Sequence, residues 1–112
     1  MTEWQLREYT VQAGHMAEFV AEWTAGVLPL RRRFGFTVLA WSVPEQSRFV
    51  WLIGHDGPGT LEEADAAYYA SPERMALSPD PARWLTDRRH APAVGIASWP
   101  PGDATTQEAR GG

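Results

Sequence analysis

Two apolar segments lie almost end to end in the middle of the chain, and they limit its possible folds more than any other feature. "FTVLAWSVP" (36–44) and "RFVWLIGHD" (48–56) are rich in Val, Ile and aromatic residues, and only "EQS" separates them. Strand-forming runs joined by so short a connection predict an antiparallel β-hairpin. Successive side chains of a strand point to opposite faces. Because apolar residues occupy both alternating sets, both faces of this hairpin are predicted to be apolar.

A helical pattern precedes the hairpin. Seven apolar residues recur at helical spacing and predict one buried helix face: Met16, Phe19, Val20, Trp23, Val27, Leu30 and Phe34. Pro29 interrupts this pattern. Because proline has no amide donor, we expect a kink just after Gly26, and Gly35 is a natural stop for the helix.

Strand and helix signals flank these segments. Thr60 and Glu63 have the spacing of a capping box at the start of a second helix. The remaining predicted elements are a first strand at 4–11, the second helix at 61–70, short helical pieces at about 72–77 and 81–87, and a last strand at 90–99. We assign residues 1–99 to one domain and predict that residues 100–112, which show no periodicity, form a disordered C-terminal tail.

This order of elements predicts an α+β fold of the ferredoxin-like βαββαβ type, with a four-stranded antiparallel sheet. Two helices can cover only one face of such a sheet, yet both faces of the hairpin are apolar. An uncovered apolar patch on two neighbouring strands favours a partner surface. We therefore predict a homodimer in which two sheets pack face to face into an α+β barrel.

Composition excludes several classes of function. The formal net charge of −4 gives no support for nucleic-acid binding, and no apolar run is long enough to span a membrane. The chain has no Cys, which excludes thiolate catalysis and thiolate metal sites. Three scattered His residues lack the spacing of a metal site. The start of the chain does not have the pattern of a signal peptide, so a cytoplasmic location is expected.

Four segments in order, "REYTVQAG", "LPLRRRFGFTVLAW", "RFVWLIGHD" and "ADAAYYASPERMAL", resemble members of the NIPSNAP family. The resemblance extends from Trp4 to the last predicted strand. It implies the dimeric α+β barrel superfamily, whose members include cofactor-independent monooxygenases, cyclases, isomerases, haem-binding enzymes and non-catalytic proteins. In such relatives a ligand pocket commonly lies between helices and sheet.

Three residues are candidates for catalysis. His55 continues the row of Phe49 and Trp51 and could transfer a proton, although it could equally be a turn residue that hydrogen-bonds the "HDGPG" loop. Tyr68 lies on the inner stripe of the second helix and could hydrogen-bond a ligand. Arg31 lies on the shoulder of the first helix's apolar stripe and could stabilise negative charge, or could simply be a cation at a helix end.

The candidates for ligand binding are aromatic: Tyr9, Trp23, Trp41, Trp51 and Tyr69. Core packing is the alternative for each of the tryptophans. We expect no cofactor, and a haem bound through His55 has no support beyond one imidazole. The predicted function is binding of a small apolar or aromatic molecule, with cofactor-independent cyclisation, isomerisation or oxygenation as the enzymatic hypothesis. The alternative is a non-catalytic binding or interaction protein.

Overall fold

A four-stranded antiparallel sheet forms one layer, and helices cover one of its faces. The computed structural model describes residues 2–97. Its strands are β1 (Glu3–Val11), β2 (Thr37–Val43), β3 (Arg48–His55) and β4 (Leu85–Ala93), in the order β2-β3-β1-β4. Its α-helices are α1 (Met16–Glu22), α2 (Leu28–Arg33), α3 (Leu61–Ala70) and α4 (Pro72–Met75). The predicted ferredoxin-like α+β fold is confirmed.

The first helical region is divided by a π-helical segment, Trp23–Val27, that connects α1 to α2. The amide of Leu28 donates to the carbonyl of Trp23, five residues earlier. Pro29 explains the π-helical segment. In a regular α-helix its ring would clash with the carbonyl four residues earlier, and proline has no amide hydrogen to donate. The predicted interruption is therefore confirmed, as a widened turn. Gly35 ends the region with a φ of +90°, as expected for a glycine stop.

The last strand lies earlier in the chain than predicted. β4 spans Leu85–Ala93, so the prediction of residues 90–99 was wrong at both ends, and the helical piece predicted for 81–87 is a short 3-10 turn, Pro81–Trp84. The run from Thr86 to His90 is polar and shows no apolar alternation. It forms a strand because β1 supplies the hydrogen-bond partners, and polar side chains are well tolerated on an edge strand. The predicted C-terminal tail, together with residues 98 and 99 of the predicted domain, lies outside the described residues.

The core lies between the sheet and the helices. Phe49, Trp51 and Ile53 of β3 point toward the helices and are buried, and they meet Phe19 and Trp23 from the first helical region. Several aromatic rings of this layer pack edge to face, with centroids 4.9 Å apart for Trp23 and Phe49. Edge-to-face packing at this distance is favourable for aromatic rings. Most of the aromatic residues of the chain therefore belong to the core.

The opposite face of the sheet, which we call the outer face, carries apolar side chains that no element among residues 2–97 covers. Register places Leu6, Leu39 and Leu52 side by side across three strands, and each is only half-buried. Trp41, on the same face by register with Val50, is 54% exposed. The predicted apolar character of both faces is confirmed. Within residues 2–97, no helix is both long enough and apolar enough to cross a bilayer.

Trp4 packs flat against Gly54 on the outer face. A Cβ atom at position 54 would lie 2.7 Å from Cζ3 of the Trp4 ring. We expect Gly54→Ala to lower the free energy of unfolding by about 1–3 kcal/mol, because the indole has to move. Urea denaturation measures this loss. Gly95→Ala is the matched control, since no atom lies within 4 Å of its added methyl group. Equal stability of the two variants would contradict the close packing of Trp4 on Gly54.

Candidate functional site

A narrow cavity, partly open to solvent, lies between the sheet and the helical layer. Its volume is about 30 Å³, which is room for about one water molecule. Six aromatic residues form half of its lining: Tyr9, Phe19, Trp23, Trp51, Tyr68 and Tyr69. The rest of the wall is formed by Val27, Arg74, Pro81, Ala82, Leu85 and Arg88. The cavity thus combines an aromatic interior with two arginines.

The start of α3 determines which tyrosine reaches the cavity wall from inside the core. The amide of Glu63 donates to Thr60 Oγ1 at 3.1 Å and the amide of Thr60 donates to Glu63 Oε1 at 3.0 Å, so the predicted capping box is confirmed. With the helix fixed at this residue, Tyr68 faces the sheet and is fully buried. Tyr69, about 100° further around the helix, is 41% exposed. The orientation of Tyr68 agrees with the predicted inner stripe of this helix.

Ser71 connects this tyrosine to an arginine of the wall. Its hydroxyl donates to the carbonyl of Tyr68 at 2.7 Å and accepts from the amide of Arg74 at 3.1 Å. Ser71 is therefore the N-cap of α4, with Pro72 in the first turn. Because one serine ends α3 and begins α4, the positions of Tyr68 and Arg74 are coupled.

Asp65 holds two buried arginines behind the aromatic wall. Its Oδ1 lies 2.7 Å from Nη1 of Arg31, and its Oδ2 lies 3.0 Å from Nη2 of Arg7. The Arg31 side chain is fully buried and that of Arg7 is 8% exposed. Arg7 also donates to the Tyr69 hydroxyl at 3.1 Å and to Gln5 Oε1 at 2.7 Å. This group of two cations and one carboxylate links β1, α2 and α3.

Arg31 also packs against the faces of aromatic rings. Its guanidinium carbon lies 3.8 Å from the centroid of Tyr68, 4.8 Å from that of Phe36 and 5.5 Å from that of Trp51. A cation over an aromatic face at such distances is stabilised by the ring quadrupole. Arg31 thus sits directly behind two residues of the cavity wall. Arg31, predicted on the shoulder of the apolar stripe, points inward, whereas the next residue, Arg32, is exposed.

Four polar atoms of the cavity-lining residues are buried and have no hydrogen-bond partner among residues 2–97. They are Nε1 of Trp23, Nε1 of Trp51, the hydroxyl of Tyr68 and Nε of Arg74. Tyr9 lies near Trp51, and Arg74 lies near Tyr68. Neither pair has the geometry of a hydrogen bond. An unsatisfied buried polar group destabilises a fold by about 1–3 kcal/mol. Four of them belong to residues that line one cavity, and a water molecule or a ligand in the cavity can supply hydrogen-bond partners that the chain does not.

Two phenols of the wall, Tyr9 and Tyr68, are held in their neutral form. Burial raises the pKa of Tyr68, and this outweighs the opposite effect of Arg31 and Arg74. Burial likewise raises the pKa of Tyr9, with a further contribution from Tyr69. A neutral phenol can donate a hydrogen bond, whereas a phenolate cannot. At physiological pH these two residues therefore present hydroxyl donors and not phenolates.

Arg74 is held at the cavity by Asp80. Nη1 and Nη2 of Arg74 lie 3.2 and 3.3 Å from the two carboxylate oxygens of Asp80, which also caps the 3-10 turn by accepting from the amide of Ala82 at 3.0 Å. Burial raises the pKa of Asp80, but the Ala82 amide and Arg74 lower it more, so the net direction is down. The carboxylate therefore stabilises the folded chain.

We expect Asp80→Ala to reduce the free energy of unfolding at pH 7 by about 1–2 kcal/mol, since it removes a cap and an ion pair. A carboxyl group with a lowered folded-state pKa contributes stability above its unfolded pKa and loses it as the pH falls through the folded value. The difference between wild type and Asp80→Ala should therefore shrink below about pH 4. Denaturation at several pH values measures this. Asp87→Ala, which removes an exposed pair with Arg89, is the control, and an equal loss for both would contradict the role of Asp80.

The structure separates the predicted site residues into two groups. Arg31 and Tyr68 are in contact, and the cavity wall includes Tyr9, Trp23, Trp51 and Tyr69. His55 is buried in the predicted inward row but does not line the cavity. Its Nε2 lies 3.2 Å from the carbonyl oxygen of Pro58, which is the contact expected of a residue that hydrogen-bonds its own loop. Within the described range, no group of His, Asp and Glu residues could hold a metal ion.

Trp41 lines a different concavity. A wide groove of about 390 Å³ runs along the β2 edge of the sheet, between that strand and the first helical region. Its lining includes Trp41, Val38, Ala40, Leu28 and Arg32. Trp23 lines both the cavity and this groove, whereas Phe49 lines only the groove. The groove is larger than the cavity but is more open and lacks the tyrosines.

Three charged residues of the site were not predicted from the sequence: Arg7, Asp65 and Arg88. Arg7 lies two positions before Tyr9 on β1, so both side chains point to the same, inner face of the sheet. This spacing was the available signal for a buried arginine. Asp65 carried no such signal, because it lies on the flank of α3 and its two partners come from distant segments. Arg88 reaches the cavity because register pairs it with Tyr9, in a strand that had been predicted to begin only at residue 90.

Comparison with known proteins identifies the fold. No protein family model and no curated protein matches the chain. A solved NIPSNAP domain protein from Burkholderia xenovorans is 18% identical, with a TM-score of 0.73 over 87% of this chain and 96% of its own. A NIPSNAP family protein from Agrobacterium tumefaciens is 11% identical, with a TM-score of 0.69 over 84% of this chain and 85% of its own.

A putative antibiotic biosynthesis monooxygenase from Bacteroides thetaiotaomicron is also similar. It is 14% identical, with a TM-score of 0.67 over 94% of this chain and 96% of its own. At these identities the similarity concerns the fold. The resemblance found in the sequence is confirmed at that level: the chain has a NIPSNAP-like, ferredoxin-like fold.

Proposed function

We propose that this chain is a cytoplasmic homodimer that binds a small, largely aromatic molecule in the cavity beneath α3. The observation that carries the proposal is the set of four unpartnered polar atoms around an aromatic-walled cavity. Ligand sites combine apolar walls with a few convergent polar groups in the same way. Flat ligands stack on such walls, and the free donors fix their orientation.

Binding requires the cavity to widen, because about 30 Å³ is far less than a typical ligand pocket of roughly 300 Å³ or more. The wall with the fewest regular backbone hydrogen bonds is the stretch from Ala76 to Trp84, which contributes Pro81 and Ala82 to the cavity. Leu77, in the same stretch, packs closely against Gly26 of the π-helical segment. We propose that displacement of this stretch opens the cavity, since segments with few such bonds open most easily.

The homodimer is proposed from the outer face. Trp41 is 54% exposed and Val43 is 37% exposed, beside the half-buried row of leucines. Continuous apolar surface of this kind is typical of an interface between copies of a chain. The cavity lies on the other face of the sheet, so dimerisation through the outer face leaves its lining free for a ligand.

Fluorescence titration with the neutral aromatic probe N-phenyl-1-naphthylamine tests the binding proposal. Ala82 and Ala40 offer a matched pair of substitutions, because Ala82 lines the cavity and Ala40 lines the groove at β2. We expect saturable binding that Ala82→Phe weakens at least about tenfold by filling the cavity, with Ala40→Phe close to wild type. Loss of binding in Ala40→Phe alone would assign the ligand to the groove and contradict the proposal.

Stabilisation of a negatively charged intermediate is the second candidate function. The donors of Trp23, Trp51 and Tyr68 could stabilise an enolate in the cavity, and preorganised donors of this kind can lower a barrier substantially. The similarity to the Bacteroides protein agrees with such chemistry on the same fold. Exchange of the α-protons of 2-tetralone in D₂O, followed by NMR, tests this. A buffer base from solvent accepts the α-proton, and the donors of the wall stabilise the enolate that remains. We expect faster exchange with the protein than with buffer alone, and loss of this acceleration in Tyr68→Phe. No acceleration by the wild type would contradict this second function and leave the binding proposal unaffected.

A further inference from the structure

We infer that the ligand of this cavity is an anion: an aromatic molecule with a carboxylate or similar planar group, held at the mouth by Arg74 and Arg88. The inference rests on the proposed small-molecule binding in the same cavity and names the chemical class of the ligand. Two independent observations carry it, the donor character of the wall and the charge around it.

The unpartnered groups of the wall are donors. The indole nitrogens of Trp23 and Trp51 and Nε of Arg74 can only donate hydrogen bonds, and the neutral phenol of Tyr68 can donate one as well. A ligand that satisfies all of them has to present acceptors. A carboxylate offers two oxygens with about four acceptor sites and no donor, so it matches this wall better than an alcohol, amide or amine.

The charges around the cavity favour an anion too. Arg74 and Arg88 line it, and Arg7 and Arg31 lie behind its aromatic wall at 5.3 Å from Trp51 and 3.8 Å from Tyr68. Asp65 and Asp80 are the carboxylates that contact this group. Four arginines and two aspartates leave an excess of two positive charges, in a chain whose formal net charge is −4.

Arg88 is the cation most free to meet a ligand. Arg74 is engaged by Asp80, and the two deeper arginines share Asp65. Arg88 makes no ion pair within residues 2–97 and is exposed, and its register with Tyr9 directs it to the helix-covered side of the sheet. An arginine in this position can hold a carboxylate through two parallel hydrogen bonds.

A pair of probes that differ in charge but not in shape tests the inference. We expect 2-naphthoate to bind at least about tenfold more tightly than 2-naphthamide at low ionic strength, with the difference shrinking as salt is added. Isothermal titration measures both affinities. Arg88→Gln should weaken naphthoate binding about five- to tenfold and leave naphthamide unchanged, because it removes a charge and no apolar contact.

The neighbouring arginine supplies the control. Arg89 pairs in register with Glu8 on the outer face, and its side chain is 78% exposed. Arg89→Gln changes the net charge of the chain by the same amount but should leave both affinities as in the wild type. Equal affinity for the acid and the amide would overturn the inference while leaving the proposed function intact. Equal weakening by the two substitutions would also overturn it. If neither probe binds, the proposed function itself fails.

Discussion

Asp65→Asn is expected to destabilise the protein by about 3 kcal/mol or more, since it leaves two buried arginines without a carboxylate. Arg31 is fully buried, Arg7 is nearly so, and Asp65 is within 3.0 Å of both. The 22% exposure of the Asp65 side chain permits some screening by water, so we place the loss at the lower end of the range for broken buried pairs. Urea denaturation followed by circular dichroism measures it.

A double-mutant cycle identifies the cause of that loss. Arg31→Met keeps an unbranched apolar side chain against Tyr68 and Phe36 and leaves Asp65 paired with Arg7. We expect it to change stability by less than about 1.5 kcal/mol, and to restore part of the stability lost in Asp65→Asn when the two are combined. Glu8→Gln, which breaks the half-exposed pair with Arg48, should lose less than about 1 kcal/mol. If Asp65→Asn loses no more than Glu8→Gln, the charged group beneath α3 does not hold the helical layer together.

Leu52→Asp is expected to convert the proposed dimer to a monomer. Leu52 lies between Leu6 and Leu39 at the centre of the outer face, so the substitution would bury one unpaired carboxylate from each copy near the symmetry axis. At about 2–3 kcal/mol or more for each, the dissociation constant should rise by about a thousandfold or more. Sedimentation or light scattering over a concentration series measures this.

Met75→Asp is the control for the dimer. Met75 is 75% exposed on α4, away from the sheet, so the same charge placed there should leave association unchanged. The far-ultraviolet circular dichroism of both variants shows whether they remain folded. A wild-type chain that is monomeric at micromolar concentration would contradict the proposed face-to-face dimer, whatever the behaviour of the variants.

Much of the fold follows from local sequence signals. The apolar hairpin, the capping box at Thr60 and the glycine stop at Gly35 each depend on residues within a few positions of one another, and the structure has all three. β4 was misplaced for the opposite reason. Its polar residues form a strand only because β1, some 75 positions earlier, offers an edge with free hydrogen-bonding groups.

The candidate site was predictable only in part. Tyr68 and Arg31 could be placed by the helical wheel, because each lies on the inner side of its own helix. Their contact with one another could not be predicted, since it requires the packing of α2 against α3. The same holds for Asp65 and Arg7, which are separated by 58 positions in the chain and meet in a salt bridge. His55 had the strongest chemical signal of the three histidines, yet its ring contacts its own loop at Pro58.

Indole NMR spectra offer the most direct test of ligand binding in the cavity. The chain has six tryptophans, so an ¹⁵N-labelled sample gives six indole N–H signals, which single Trp→Phe variants assign. On saturation with 2-naphthoate, the signals of Trp23 and Trp51 should shift, because their unpartnered Nε1 donors belong to the cavity lining. The signal of Trp41, which lines the groove at β2 instead, should not shift. Trp23 lines both places, so Trp51 and Trp41 decide between them. A shift of Trp41 with Trp51 unmoved would place the ligand outside the cavity and contradict the proposed function.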